Sequence, residues 1–218
     1  MTIAYKWLGP DKRGAYGHGD YDGYLPRPSR VGKWTPTETP RQCASGWHVT
    51  DVEHLWHHWK LDGTLYEVEC RGGASPGSDK TAWASIRLLR PVGTLTRDKA
   101  IAFACDAAER VLPLFEERFP NDVRPRRAIE AATRTPANAT ANAAYDAANA
   151  AIAANAAYAY DAAYAAYAAA NAAIAANAAI AAIAAYAAAN AAYAANAADD
   201  GAMRRWAGNH LLDILAAK

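Results

Sequence analysis

Cys43, His48, His54, His57, His58 and Cys70 set thiols and imidazoles close together in the first third of the chain. A thiolate with neutral imidazoles suits zinc by softness. Cys43-x4-His48 is a loose ligand spacing, and His54 and His58 fall one helical turn apart. No CxxC or HExxH anchor accompanies them, so the expectation is a polar histidine surface with no bound metal. Cys43, His48, His54 and His58 are the candidate ligands if a metal is held. Glu67 and Glu69 share one face of a strand, about 7 Å apart by strand rise. They suit either acid–base work or a solvated edge strand. Arg118, Arg124, Arg126 and Arg127 form a basic cluster that would grip a phosphate or an acidic partner. Their acidic neighbours Glu116, Glu117, Asp122 and Glu130 favour a salt-bridged helix surface instead.

These residues need elements to hold them. Ile3 to Leu8 reads as a strand closed by Gly9-Pro10, and residues 9–46, rich in Gly, Pro, Asp and Arg, read as loops with short strand pieces. Thr50-Asp51-Val52-Glu53 has the form of a capping box led by the Thr50 hydroxyl. Val52, Leu55, Trp56 and Trp59 then follow at helical spacing, which predicts a helix over 51–60. Thr64 to Cys70 alternates as a strand with Tyr66, Val68 and Cys70 on one face. Gly72 to Gly77 reads as a loop, and 82–89 as a strand with Ala84, Ile86 and Leu88 on one side. From Thr96, a good N-cap, the period changes: Ile101, Cys105, Ala108, Leu112, Phe115 and Phe119 mark one helix face that Pro113 should kink or divide. A further helix is expected from Arg124-Pro125, ending at Thr135-Pro136.

The chain has 218 residues, 23 Lys and Arg against 22 Asp and Glu, and 52% hydrophobic residues. A net charge of +1 gives no global attraction to nucleic acid or an anionic membrane. The opening MTIAYKWLGPDKRG has neither a basic start nor an apolar core, so no signal peptide is expected. Cys43, Cys70 and Cys105 are too few for a disulfide framework, which predicts reduced thiols in a cytoplasm.

Composition changes near residue 135. From 137 to 198 about two-thirds of the residues are alanine, broken by Asn, Asp, Tyr, Ile and one Thr. No apolar run there is long enough to span a membrane. The larger residues recur with a mean period of about 3.2, which circles a helix of ~3.6 residues per turn and fits neither heptads nor eleven-residue repeats. High alanine propensity predicts helix, folded back into two or three pieces. Asp199-Asp200-Gly201 reads as a stop. Met203, Trp206, His210, Leu211 and Ile214 then mark a terminal amphipathic helix.

Cys43-Ala-Ser-Gly46-Trp47-His48, followed by a helix and Leu65-Tyr66-Glu67-Val68-Glu69, resembles a phage and actinobacterial family. Its members share a Tyr-Lys strand, a Cys-x-x-Gly-aromatic-His turn, a Tyr-x-Val-Glu strand and a basic strand. Tyr5-Lys6, Lys80 and Ile86-Arg87-Leu88-Leu89 fit that order, and the likeness covers 3–92. Residues 99–134, notably Arg124 to Glu130, and the alanine tract are similar to the helical region of immunity-type proteins. A more distant likeness to ADP-ribosyltransferase-like folds implies that His48 binds a nicotinamide ribose and Glu69 orients the attacking group, although Glu69 sits in mid-strand here.

The expected fold is α+β: a small mixed-β domain with one short helix over 1–95, then an all-α alanine-rich helical domain over 96–218. The latter divides into ordinary helices over 96–134, low-complexity helices over 137–200 and a terminal amphipathic helix over 202–217. The expected function is a non-enzymatic cytoplasmic binding protein of phage-accessory or immunity type. It would use no cofactor and hold a protein partner, not a membrane or nucleic acid. Trp47, His48, Arg124, Arg126 and Arg127 are its candidate binding residues. The alternative is an ADP-ribosyltransferase-like NAD-using enzyme with His48 and Glu69 as catalytic candidates. A third reading is a structural or oligomerising helical protein.

Overall fold

The computed structural model describes residues 4–14, 19–59, 61–118, 120–121, 123, 126–127, 129–130 and 200–217. The chain divides into two units, Met1–Leu95 with Leu215–Lys218, and Thr96–Ile214.

The first unit is built on four strands: β1 (Ala4–Leu8), β2 (Trp47–Val49), β3 (Thr64–Pro76) and β4 (Thr81–Thr94). They form one antiparallel sheet in the order β1-β3-β4-β2. The two outer strands are joined by a bridge between Tyr5 and Thr50, each amide donating to the other's carbonyl at 2.8 and 2.9 Å. This bridge connects the edges of the sheet and removes part of the unpaired backbone they would present. Farther along β4 the amides of Gly32, Thr35 and Glu38 donate to the carbonyls of Leu88, Ile86 and Ala84. The 32–38 segment, read from its composition as loop, thus covers that strand.

The core follows the period-two pattern. Val68, Ile86 and Leu88 are buried with Leu8, Tyr21, Trp47, Val49 and Tyr66, and Cys70 packs against them partly buried. Thr35 and Ser85 are buried polar residues inside this region. Ser85 donates to the Thr35 carbonyl at 2.7 Å, and the Thr35 hydroxyl accepts from the Ile86 amide at 2.9 Å. Polar groups so paired avoid the cost of burial without partners.

Several expectations are corrected here. The sheet is wholly antiparallel, not mixed. The predicted loop at Gly72–Gly77 is strand up to Pro76, with a register shift between Arg71 and Ala74. Gly72 has φ +82°, and a Cβ there would lie 2.8 Å from that of Ala84. The glycine pair therefore makes a bulge within the hairpin, not its end. The short helix is a 3-10 helix over Val52–His57, and its cap is Asp51, one residue beyond the expected threonine. Trp7 explains its form: the indole N–H donates at 2.8 Å to the Leu55 carbonyl, the group an α-helix would offer to the Trp59 amide. Leu55 and Trp59 are buried as their spacing predicts, while the Trp56 side chain lies outside the described residues.

In the second unit, α1 (Arg97–Arg118) starts at Thr96, whose hydroxyl accepts from the Lys99 amide. It runs undivided through Pro113, so of the expected kink or division the division is not found. Pro113 lies exposed on the helix surface. The second described helix, α2 (Asp200–Ala216), is helical at Asp200-Gly201, where a stop was expected. Leu211 is buried. The all-α alanine-rich domain is not shown: the helical residues described in that half are those of α1 and α2 and residues 126, 127, 129 and 130. Residues 131–199, with the alanine tract, lie outside the described residues.

Candidate functional site

The turn that carries Cys43 and His48 is organised by side chains. Arg41 and Ser45 form a bridge, with amide–carbonyl bonds of 3.0 and 3.1 Å. Cys43 sits at φ +56° and Gly46 at φ +87°. A Cβ on Gly46 would stand 3.0 Å from both Pro40 Cα and the Trp83 carbonyl oxygen, so a side chain is poorly accommodated there. The Gly46 amide donates to Glu38 Oε2 at 2.9 Å. Gln42 donates to the carbonyls of Ser75 and Lys80 at 2.7 and 2.9 Å, tying this turn to the β3–β4 hairpin.

His48 closes the turn by accepting from the Cys43 amide at Nε2, 3.1 Å away. That bond requires Nε2 without a proton, hence a neutral imidazole protonated at Nδ1. Burial is the main cause holding His48 below the usual histidine range, with Lys6 and Lys80 adding to it.

Beside the turn opens a cleft of about 600 Å³, whose lining includes Lys6, Tyr21, Cys43, His48, His58 and Lys80. Lys6 donates from Nζ to the His48 carbonyl at 2.8 Å, and its ammonium lies 5.3 Å from the Tyr21 ring centroid. Burial, then the neighbouring Lys80, pushes Lys6 down to about 8. His58 places Nε2 at 2.9 Å from Asp79 Oδ2, yet burial keeps it below its ordinary value.

The other sequence candidates are placed elsewhere or used otherwise. Glu69 accepts from Arg87 Nε at 2.6 Å and Glu67 pairs with Arg90, both across the β3–β4 register. Glu69 is not among the residues lining the cleft. Since β3 is interior to the sheet, neither carboxylate stands on an edge strand. His54 pairs with Asp51 at 2.7 Å as part of the 3-10 cap. The His57 side chain and Arg124 lie outside the described residues. Cys70 is partly buried, its thiol pushed up to about 12 by burial and then by Glu69. Among the described residues no group of three or more His, Cys, Asp or Glu is arranged to hold a metal ion. Trp47 is buried, its indole donating to the Pro36 carbonyl at 2.8 Å. Arg126 forms a two-point pair with Glu116 at 2.6 and 2.7 Å, and Arg127 lies exposed beside it.

Lys6, His58 and Lys80 were missed as a group by sequence reasoning. The available signal was a lysine inside the apolar strand Ala4–Leu8, where a charge needs a reason.

The second unit holds its own polar–aromatic cluster. His210 Nε2 lies 2.6 Å from Asp106 Oδ2, its ring stacks on Trp206 at 4.9 Å, and Arg110 covers the same indole at 4.5 Å. These contacts join α1 to α2 and suit a structural seam between helices. Among the described residues no helix is long and apolar enough to cross a membrane.

A family model described as Imm-5 like putative immunity protein matches residues 90–212, more than half of the chain. No curated protein and no solved structure matches it.

Proposed function

Because the chain belongs to the Imm-5 like putative immunity protein family, we propose that it acts as an immunity-type protein by holding a harmful protein partner without chemistry on it. The observation that carries this reading is the family match over 90–212, which includes all of α1 and most of α2. We place this activity in the cytoplasm, as a phage accessory or host protection function. The near-neutral charge supports a protein partner over nucleic acid or an anionic membrane. Arg126 and Arg127, in the matched region, are candidate contacts.

The geometry favours binding over the NAD-using alternative. That reaction asks His48 and Glu69 to meet one substrate. Glu69 is instead paired with Arg87 away from the cleft lining, and His48 offers Nε2 to a backbone amide.

The test uses the full chain as bait, with native mass spectrometry of what it retains. The expected result is one protein at fixed stoichiometry whose toxicity falls on co-expression with the chain. Consumption of NAD by the purified chain, lost on Glu69→Gln, would overturn the reading.

A further inference from the structure

The cleft of the first unit lies outside the stretch matched by the family. Lys6, Tyr21 and Glu38 line it with hydrogen-bonding capacity that the fold leaves unused. Lys6 donates to the His48 carbonyl, and among the described residues no carboxylate pairs with it. An ammonium has three donors, so two remain. Tyr21 is 2% exposed, yet among the described residues its hydroxyl has no hydrogen-bond partner. A buried polar group in that position calls for a reason. Glu38 is exposed, its Oε2 accepting from the Gly46 amide, and among the described residues no cation pairs with it. His58 and Lys80 also line the cleft, but each has interactions of its own.

The three groups gather about one ring. The Lys6 ammonium lies 5.3 Å from the Tyr21 ring centroid, and the Glu38 charge is near enough to act on the Tyr21 hydroxyl. A cation withdrawn from water is relieved by an anion placed against it. Glu38, however, repels a guest that is only an anion, and a doubly charged one most. A guest carrying both a carboxylate and an ammonium satisfies Lys6 and Glu38 together and leaves the charge of the cleft unchanged. Its two carboxylate oxygens can accept from Lys6 and from the Tyr21 hydroxyl. Trp47 meets Tyr21 edge-on at 5.3 Å with its indole N–H spent on the Pro36 carbonyl, so it offers an apolar wall. The cleft, about 600 Å³, has the size of small-molecule sites. We infer that it binds a free amino acid, with the carboxylate on Lys6 and the Tyr21 hydroxyl, the ammonium toward Glu38 and the side chain against Trp47.

The experiment is isothermal titration of the full chain at neutral pH with each of the standard L-amino acids. The expected result is saturable one-to-one binding of at least one of them. Its decarboxylated amine should bind at least about tenfold more weakly, the worth of a charge-assisted hydrogen bond. Its deaminated acid should bind about threefold more weakly, because Glu38 is exposed. Lys6→Met and Tyr21→Phe should each weaken binding about tenfold, with Arg126→Gln unchanged. Glu38→Gln should erase the preference over the deaminated acid. Binding of none of the amino acids would overturn the proposal. So would wild-type affinity in Tyr21→Phe, which decides even if Lys6→Met fails to fold. Equal affinity for the N-acetyl form of the same amino acid would assign the cleft to the carboxyl end of a polypeptide and equally overturn it. The outcome is independent of whether a protein partner is found.

Discussion

The amide of Cys43 donates to Nε2 of His48 across 3.1 Å, so the spacing that reads as half a metal site is a clasp closing a turn. The imidazole accepts from backbone whose φ of +56° is uncommon for a residue with a side chain. The clasp also positions the His48 carbonyl, which holds Lys6 at 2.8 Å.

His48→Phe should therefore cost about 0.5–1.5 kcal/mol, the worth of one hydrogen bond at a site that water reaches. Cys43→Ala should change little because the donor is backbone. Cys43→Gly should gain about 0.5 kcal/mol: relief of ~1–2 kcal/mol of left-handed strain is offset by ~0.5–1 kcal/mol of added chain freedom. Urea midpoints of the three variants check the order, and a Phe variant as stable as wild type would remove the clasp.

Lys6 titrates near 8 when folded against an ordinary 10.5. Between these values the unfolded chain binds more protons than the folded one, so this residue's contribution to stability rises with pH. Below about pH 8 its penalty is fully present. Relative to Lys6→Met, the wild type should gain about 1–2 kcal/mol from pH ~8 to ~9.5. Denaturation of both proteins across that window, referenced to each other so that tyrosine and thiol titrations cancel, measures it. Parallel curves would contradict the depressed ammonium.

Thr35→Val keeps shape but removes the acceptor of the buried Ile86 amide. A cost of about 1–3 kcal/mol is expected, and Thr35→Ser should recover most of it. Equal unfolding midpoints for Val and Ser variants would show the hydroxyl to be dispensable.

Asp51 caps the 3-10 helix, accepting from the His54 amide at 3.1 Å. Asp51→Ala should cost about 1 kcal/mol, while Asp51→Asn keeps most of the cap. The His54 hydrogen bond holds this carboxyl below its usual range. The charge-linked part of its stabilisation is thus present above pH ~4 and is lost as pH falls through the folded value. Unfolding at pH ~7 and ~3 should show a smaller wild-type-to-alanine difference at the lower pH.

Local regularities were legible in the residues themselves. Alternation in Tyr66 and Val68, and in Ala84, Ile86 and Leu88, identified buried faces because side chains on a strand repeat every two residues. Thr96 identified a helix start because a hydroxyl satisfies an orphan amide locally. The likeness of the later region to immunity-type proteins is met by the family match over 90–212. Where local chemistry offered near-equal choices, reading failed. Thr50 and Asp51 are both capping residues, and the Thr50 hydroxyl is drawn instead to the Asp79 carbonyl at 3.1 Å, from 29 positions away.

By itself the sequence determined what nearest neighbours along the chain can settle: strand faces, the helix start at Thr96 and the change of composition near residue 135. Tertiary structure alone decided the cleft. Lys6 and the His48 carbonyl are 42 positions apart and meet through the Tyr5–Thr50 bridge between outer strands. Glu69 reaches Arg87, not His48, because the β3–β4 register sets it opposite that arginine. Register and edge closure are properties of paired backbones, and a one-residue slip turns every side chain to the other face. No single segment carries that information.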